Sequence, residues 1–416
     1  MSQKRVVVTG LSAITPLGNN LKESWSKLLA GESGIAPITL FDASEYACKI
    51  AGEVKQFNPE NYGILPKQSK RMDRFVQFAV ASASELIKDS GLQITEANAY
   101  QVGIILGVGL GGLKTIEVFH EKLQEVGPNR ISPFMIPMLI SNMAPGQVAI
   151  FTGAKGSNFV VTSACASGTH AIGLAYSEIQ LGRCIACITG GVESTITKLC
   201  ISGFSALKAL STKYNDMPTQ ASRPFDKNRD GFVAGEGTGY LMLEELEHAK
   251  ARGAKIYAEV IGFGTSDDAS HMTAPGEDAE GMSFAMKQAL KNAQIAPEKI
   301  THINAHGTST FLNDMYETVA IKKTFGNHAY NIAICSNKSQ IGHLLGAAGG
   351  IEAVFSVMSL YTGIVPGTIN YTTPDPNCDL NYMPNGPQEL NPQYVLSNSF
   401  GFGGTNASLI FKKFEC

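Results

Sequence analysis

The chain has 416 residues, 44% hydrophobic and 17% charged, an ordinary globular composition with enough apolar material for a large core. A formal net charge of -3 and a pI near 6.3 exclude a global basic field of the kind that holds nucleic acid, so a charged partner has to meet a local patch. The run Met1-Ser-Gln-Lys-Arg before Val6-Val-Val-Thr lacks the charged, apolar, small order of a secretion signal. No apolar run is seen to approach the roughly 20 residues that span a bilayer, the best candidate being the glycine-laden stretch 102–113. Eight cysteines in so long a chain do not read as a disulfide framework. The expectation is a reduced, cytoplasmic protein with neither a membrane nor a nucleic-acid partner.

Apolar runs of strand length recur along the chain, each followed by a Gly/Ser/Thr turn and a helical pattern. They predict strands at 5–9, 102–106, 158–162, 185–189, 256–261, 300–305, 332–335 and 394–398. Continuous apolar strands alternating with helices argue for α/β layering, with sheets buried on both faces. Residues 73–89 read as an amphipathic helix ending at Gly91. Two later stretches share one design. Phe159-Val-Val-Thr-Ser-Ala-Cys165 leads into a Gly/Ala-rich helix, and Ile332-Ala-Ile-Cys-Ser-Asn-Lys338-Ser-Gln-Ile-Gly-His343 leads into another. The repetition suggests two similar halves, 1–251 and 252–416, meeting near the charged helical segment 244–252.

Cys165 stands where a strand passes into a helix, flanked by Ala164, Ala166 and Gly168. Free backbone N–H groups and the positive end of the helix dipole favour a thiolate there, and small neighbours leave room for a substrate. A buried structural cysteine is the competing reading. His306, in Asn304-Ala-His-Gly-Thr-Ser-Thr310, and His343 both occupy polar turns after buried strands, where active-site groups of layered folds collect. Neutral imidazoles can donate to an enolate or thioester oxygen, and one can move a proton. Satisfied turn histidines remain the alternative. His271 lies on an expected pocket-rim loop, and His170 reads as helix packing.

Other motifs compete. Gly107-Val-Gly-Leu-Gly-Gly112 has dinucleotide spacing, but Glu125, where a second strand should end in an acid, falls in a polar helical stretch. Cys184-Ile-Ala-Cys187 has metal spacing but lies in an apolar strand without a second ligand pair. The segment Ser397-Asn-Ser-Phe-Gly-Phe-Gly-Gly-Thr-Asn406 reads as a strand and a glycine hairpin able to bring N–H groups to a ligand.

Five motifs together resemble the β-ketoacyl-[acyl-carrier-protein] synthases, above all type II of bacterial fatty-acid synthesis. They are Ala164-Cys-Ala-Ser-Gly168, Ser222-Arg-Pro-Phe-Asp226 with Arg229-Asp-Gly-Phe232, Asn304-Ala-His-Gly-Thr-Ser-Thr310, Gly342-His-Leu-Leu-Gly-Ala-Ala-Gly349 and Asn398-Ser-Phe-Gly-Phe-Gly-Gly-Thr-Asn406. The resemblance implies a thiolase-like αβαβα fold of two pseudo-equivalent halves, assembled as a homodimer. It implies that Cys165 takes an acyl group from an acyl carrier protein and that His306 and His343 hold the malonyl carbonyl during decarboxylation. It gives Lys338 the support of His343, the backbone N–H groups of Cys165 and Phe402 the oxyanion hole, Thr308 and Thr310 the pantetheine arm, and Leu110 the acyl pocket. No resident cofactor is implied, since phosphopantetheine arrives on the carrier. Carrier docking falls by family position to Lys67, Lys70, Arg71, Arg74, Arg130, Lys208 and Lys213. Asn337, Gln340-Ile341, Phe311-Leu-Asn313 and Phe225 depart from the family pattern and leave open a polyketide or other specialised acyl pathway. A thiolase would need a second cysteine where Phe402 stands, and a non-catalytic chain-length subunit would have lost Cys165.

Overall fold

The computed structural model describes residues 3–415. Ten strands form one continuous sheet: β1 (Val6–Ile14), β2 (Val102–Gly107), β3 (Asn158–Val161), β4 (Ala186–Glu193), β5 (Gly237–Glu245), β6 (Ala258–Asp267), β7 (His302–Asn304), β8 (Ala333–Cys335), β9 (Tyr394–Gly401) and β10 (Thr405–Lys413). Their spatial order is β8-β7-β9-β10-β6-β1-β5-β4-β2-β3. Read inward from each edge, the halves run β3-β2-β4-β5-β1 and β8-β7-β9-β10-β6, so the same topology occurs twice. The pairing senses repeat as well: β2 is parallel to β3 and β4, and β7 to β8 and β9, while the inner pairs are antiparallel. The halves meet at a short antiparallel seam, Val6↔Val260, Val7↔Glu259 and Val8↔Ala258.

All eight expected strands are present. Two were not legible. β5 begins Gly-Thr-Gly and ends Glu-Glu, so its apolar stretch is short, and its last two residues read as part of the charged segment that follows. β10 continues directly from the glycine hairpin, which masks its start.

Helices complete five layers. Arg74–Ser90 and Met143–Thr152 cover the outer face of the first half, and Glu280–Ala293 and Phe311–Phe325 that of the second. Ser167–Gln180 and Ala348–Thr362 lie between and touch strands of both halves. The first of these helices shows the local logic. Asp73 caps Arg74–Ser90 by accepting from the Phe75 N–H, and Gly91 ends it with a left-handed φ of 63°. The central pair needs small residues because their backbones nearly touch: a Cβ on Gly168 would lie 2.7 Å from the Gly350 nitrogen. The stretch Leu345–Thr362 is longer than residues 102–113 and reaches membrane-spanning length and hydropathy, but 83% of it is buried in this central layer.

Candidate active site

A cavity of about 380 Å³ opens between the halves, with Cys165, His306, His343 and Phe402 in its wall. Cys165 sits just ahead of the helix Ser167–Gln180, in a turn held by Ser167, whose hydroxyl accepts from the Ser163 N–H (2.9 Å) and donates to the Ala164 carbonyl (2.6 Å). Ala164 adopts a left-handed φ of 49°, unusual for a residue with a Cβ. The helix start does not by itself make a thiolate. Burial is the larger influence and pushes the Cys165 thiol up to about 12, against the Lys338 ammonium and the Phe402 N–H, which favour the anion. Glu193 and Glu352 push it the same way as burial. The resting nucleophile is therefore a thiol that gives up its proton as it reacts.

The two histidine rings meet edge to face, 5.3 Å between centroids at 86°. Burial first, then the Lys338 charge, holds both well below the usual histidine range, so both are neutral. Their hydrogen bonds fix the tautomers. The His343 Nδ1 accepts from the Leu345 N–H (3.3 Å), and the His306 Nδ1 faces the Lys338 ammonium (3.3 Å). In each ring the proton is left on Nε2, which makes both side chains donors.

Lys338 lies elsewhere than expected. It touches His306 rather than His343, donating to the His306 carbonyl (2.6 Å) and pairing closely with Glu352. It reaches His343 only through its charge. Glu352 is buried, which raises its carboxyl to about 7 despite that ammonium. Glu317, likewise raised to about 7 by burial, accepts from the backbone N–H groups of His306 (2.9 Å) and Gly307 (2.7 Å) and so fixes the histidine turn. Neither glutamate stood out in the sequence. Glu352 is the lone acid of an apolar helix and Glu317 shares a mixed helix with Asp314, and this was the only signal.

The Phe402 N–H faces the Cys165 sulfur, and a Cβ on neighbouring Gly401 would sit 3.2 Å from the Cys165 nitrogen, so glycine keeps this approach open. Thr308 and Thr310 line the cavity and share a hydrogen bond of 2.9 Å. The turn between them and Phe311 is pinned by buried Arg229, which donates to the Thr310 and Phe311 carbonyls and pairs with Asp375 at 2.7 Å. Phe311 and Leu312, a departure from the family pattern, form part of the cavity mouth with Lys208. Asn337 is buried and accepts from the Asn304 amide (2.7 Å), while Phe225 stacks on Tyr382 at 3.9 Å.

Other expectations need correction. Leu110 lies outside the cavity and is 49% exposed. His271 is exposed and accepts from the N–H groups of Thr273 and Ala274, which shapes the rim loop without lining the cavity itself. Arg74 is not free for docking, because its guanidinium pairs with buried Glu236 (2.8 Å). Lys67, Lys70, Arg71, Arg130, Lys208 and Lys213 are exposed, with Arg71 resting on the Phe134 ring (4.4 Å). The glycine motif after β2 wraps a protein carboxylate: the N–H groups of Gly109, Leu110 and Gly111 all donate to Glu193. Cys184 and Cys187 are buried in the core between helix and sheet.

Residues 3–249 match the β-ketoacyl synthase N-terminal domain and residues 257–372 the β-ketoacyl synthase C-terminal domain. The chain belongs to the β-ketoacyl synthase family. Its relatives in this family include 3-oxoacyl-[acyl-carrier-protein] synthase 2 of Synechocystis sp., 53% identical over 100% of this chain and 99% of that one. The protein of the same name from Staphylococcus aureus is 51% identical, with both chains covered in full. Among solved structures, a ketosynthase in complex with its type II polyketide synthase acyl-carrier protein superposes with a TM-score of 0.91 at 33% identity, over 100% of both chains. The layered fold is thus the thiolase-like arrangement of β-ketoacyl synthases.

Proposed function

We propose that this chain is a 3-oxoacyl-[acyl-carrier-protein] synthase that elongates fatty acids by decarboxylative condensation. The observation that carries the reading is the convergence on one cavity of the Cys165 thiol, the Phe402 N–H and two neutral histidines whose Nε2–H groups remain free to donate.

In the first step the Cys165 sulfur attacks the acyl thioester of a carrier-bound chain. The acyl carbon–sulfur bond to pantetheine breaks, and the proton lost by Cys165 ends on the released pantetheine thiol. The carbonyl oxygen, negative in the tetrahedral intermediate, lies against the N–H groups of Cys165 and Phe402. Malonyl carrier then enters along Thr308 and Thr310. Its carbon–carboxylate bond breaks, carbon dioxide leaves, and the electron pair forms an enolate whose oxygen accepts from the Nε2–H groups of His306 and His343. The enolate carbon attacks the Cys165 thioester, and collapse expels the Cys165 sulfur as a thiolate, which takes a proton from solvent to restore the resting thiol and leaves the 3-oxoacyl carrier product. Covalent capture divides a difficult condensation into two steps that the same small site stabilises in turn.

On this reading the phosphopantetheine arrives with the acyl carrier protein, and the chain needs no resident cofactor. Lys67, Lys70, Arg71, Arg130 and Lys208 offer exposed positive charge to that acidic partner. The halves join at 251/252, and the enzyme works in the cytoplasm as a homodimer. Strand β3 supports the dimer: it is an unpaired sheet edge carrying Phe159, 39% exposed, and such edges invite pairing. A second copy there would cover the nearby face on which Leu110 is bare. The test is mass spectrometry after incubation with acyl carrier protein. An acyl adduct should form on Cys165 and be absent from Cys165→Ala, whereas an adduct on Cys200 or Cys335 would overturn the assignment.

A further inference from the structure

The twofold topology lets the active site be compared with its counterpart in the same chain. β4 and β9 occupy equivalent positions and are both 8 residues long, so Glu193 at the end of β4 matches Gly401 at the end of β9. Counting back from the first residues of the two central helices, Ser167 and Ala348, Cys165 matches Gly346 and Ala164 matches Leu345. Ala164 and Leu345 share a left-handed φ of 49°, which supports the alignment. His306, just past the end of β7, likewise matches Gly109, just past the end of β2. The chain therefore holds a twin of its catalytic floor, with glycines in place of the nucleophile and one histidine.

That twin is closed. The Glu193 carboxylate, fully buried, takes N–H groups from Gly109 (2.8 Å), Leu110 (3.2 Å), Gly111 (3.2 Å) and Gly346 (3.2 Å). A Cβ on Gly346 would stand 2.2 Å from the Gly109 nitrogen, so both loops reach the carboxylate only as glycines.

We infer that Glu193 is a positioning residue, a resident carboxyl group in the unused twin site that ties the loop Gly109–Gly111 to the segment carrying His343. The connection is short. Glu193 holds the Gly346 N–H, and the preceding residue, Leu345, donates its own N–H to the His343 Nδ1 (3.3 Å) from a backbone conformation that a leucine rarely adopts. Such a conformation persists only where its surroundings over-determine it. Without the carboxylate, Leu345 relaxes, its N–H leaves His343, and the Nε2–H loses its aim. Toward Cys165 the Glu193 carboxyl makes no contact and acts only through its charge, which opposes ionisation of the thiol.

This inference rests on the condensing reading above, and the experiment separates the two. Glutamine at 193 keeps the shape but offers one acceptor oxygen and turns an NH₂ toward backbone donors. In Glu193→Gln, decarboxylation of malonyl carrier protein should fall ~10–100-fold, the scale of a misplaced catalytic group. Acylation of Cys165, followed by mass spectrometry, should not fall by more than about threefold, since Glu193 opposes ionisation of that thiol and its loss favours the reacting anion. Should the glutamine variant fail to fold, Glu193→Asp, which keeps a carboxyl group one methylene short, must show the same split. Equal losses in both steps, or unchanged decarboxylation, overturn the positioning role. A wild-type protein that neither acylates Cys165 nor decarboxylates overturns the condensing reading instead.

Discussion

Replacing Lys338 by methionine tests the electrostatic core of the site. The ammonium and the Glu352 carboxylate are each 1% exposed, and the lysine also satisfies the His306 carbonyl at 2.6 Å. Taking one member from a buried ion pair costs about 3–5 kcal/mol, because the remaining charge has neither partner nor water. Unfolding entropy of about 2.1 cal/mol/K per residue converts this, for 416 residues, into a fall in Tm of ~3–6 °C. Lys338→Met/Glu352→Leu should recover most of the loss, since no charge is then stranded. The kinetic effect has its own sign. Burial holds His306 and His343 neutral first, with the Lys338 charge second. Without that charge both titrate at higher pH, so acidification should end malonyl decarboxylation sooner in the variant than in wild type. The linked stability of wild type also falls with acid, because the unfolded histidines take protons near pH 6.5 and the folded ones do not; the variant, whose folded histidines titrate nearer that value, loses less of it. Thermal unfolding across pH and decarboxylation of malonyl carrier protein are the assays. A methionine variant that melts with wild type and keeps its pH profile refutes the coupling.

Three further outcomes follow from the geometry. His306→Ala and His343→Ala should each lower malonyl decarboxylation by ~10²–10³, the usual loss for one oxyanion donor; variants that decarboxylate normally would show that the enolate binds elsewhere. Lys208→Glu and Arg130→Glu should raise the apparent KM for carrier-bound acyl chains far more than for a small pantetheine thioester, and added salt should imitate them. Equal effects on both substrates would place docking on another face. Phe225→Ala removes a fully buried ring stacked on Tyr382 and should cost about 3–5 kcal/mol in denaturant unfolding, with an unchanged pattern of primer preference.

The layered fold and the duplication were legible because buried strands announce themselves as apolar runs and because Gly/Ala helices repeat after two of them. β5 and β10 were not, since their ends are charged or glycine-rich and burial comes from neighbouring strands rather than from their own composition. Cys165, His306 and His343 were legible as strand-end residues in polar turns, and the cavity brings them together. The wrong partner for Lys338 reflects a limit of spacing. It lies five residues from His343 in sequence, but the helical turn Lys338–Ile341 directs its ammonium toward His306, in the turn just past β7. The glycine motif after β2 was set aside as a dinucleotide site for want of an acidic strand end, but what fills it was not legible: a loop of free N–H groups signals an acceptor without saying whether a ligand or Glu193 supplies it. The thiolate expected at Cys165 came from weighing the helix start alone, whereas the surrounding burial outweighs it.

The seam between the halves has a consequence for how the chain is made. β1 closes against β5, so the five strands of the first half can assemble once residue 245 has left the ribosome. At about 5–20 residues per second, the remainder takes roughly 10–35 s to follow. For the first ~6–23 s of that interval, until residue 362 is made, the helix Ala348–Thr362, whose apolar side covers β4 and β5, does not yet exist. The nascent first half must therefore wait with one face of its sheet half-roofed, an exposed apolar surface of the kind that chaperones hold and aggregation exploits. Its likeness to the second half makes this sharper, because two newly made first halves on neighbouring ribosomes present each other with a near copy of the missing partner.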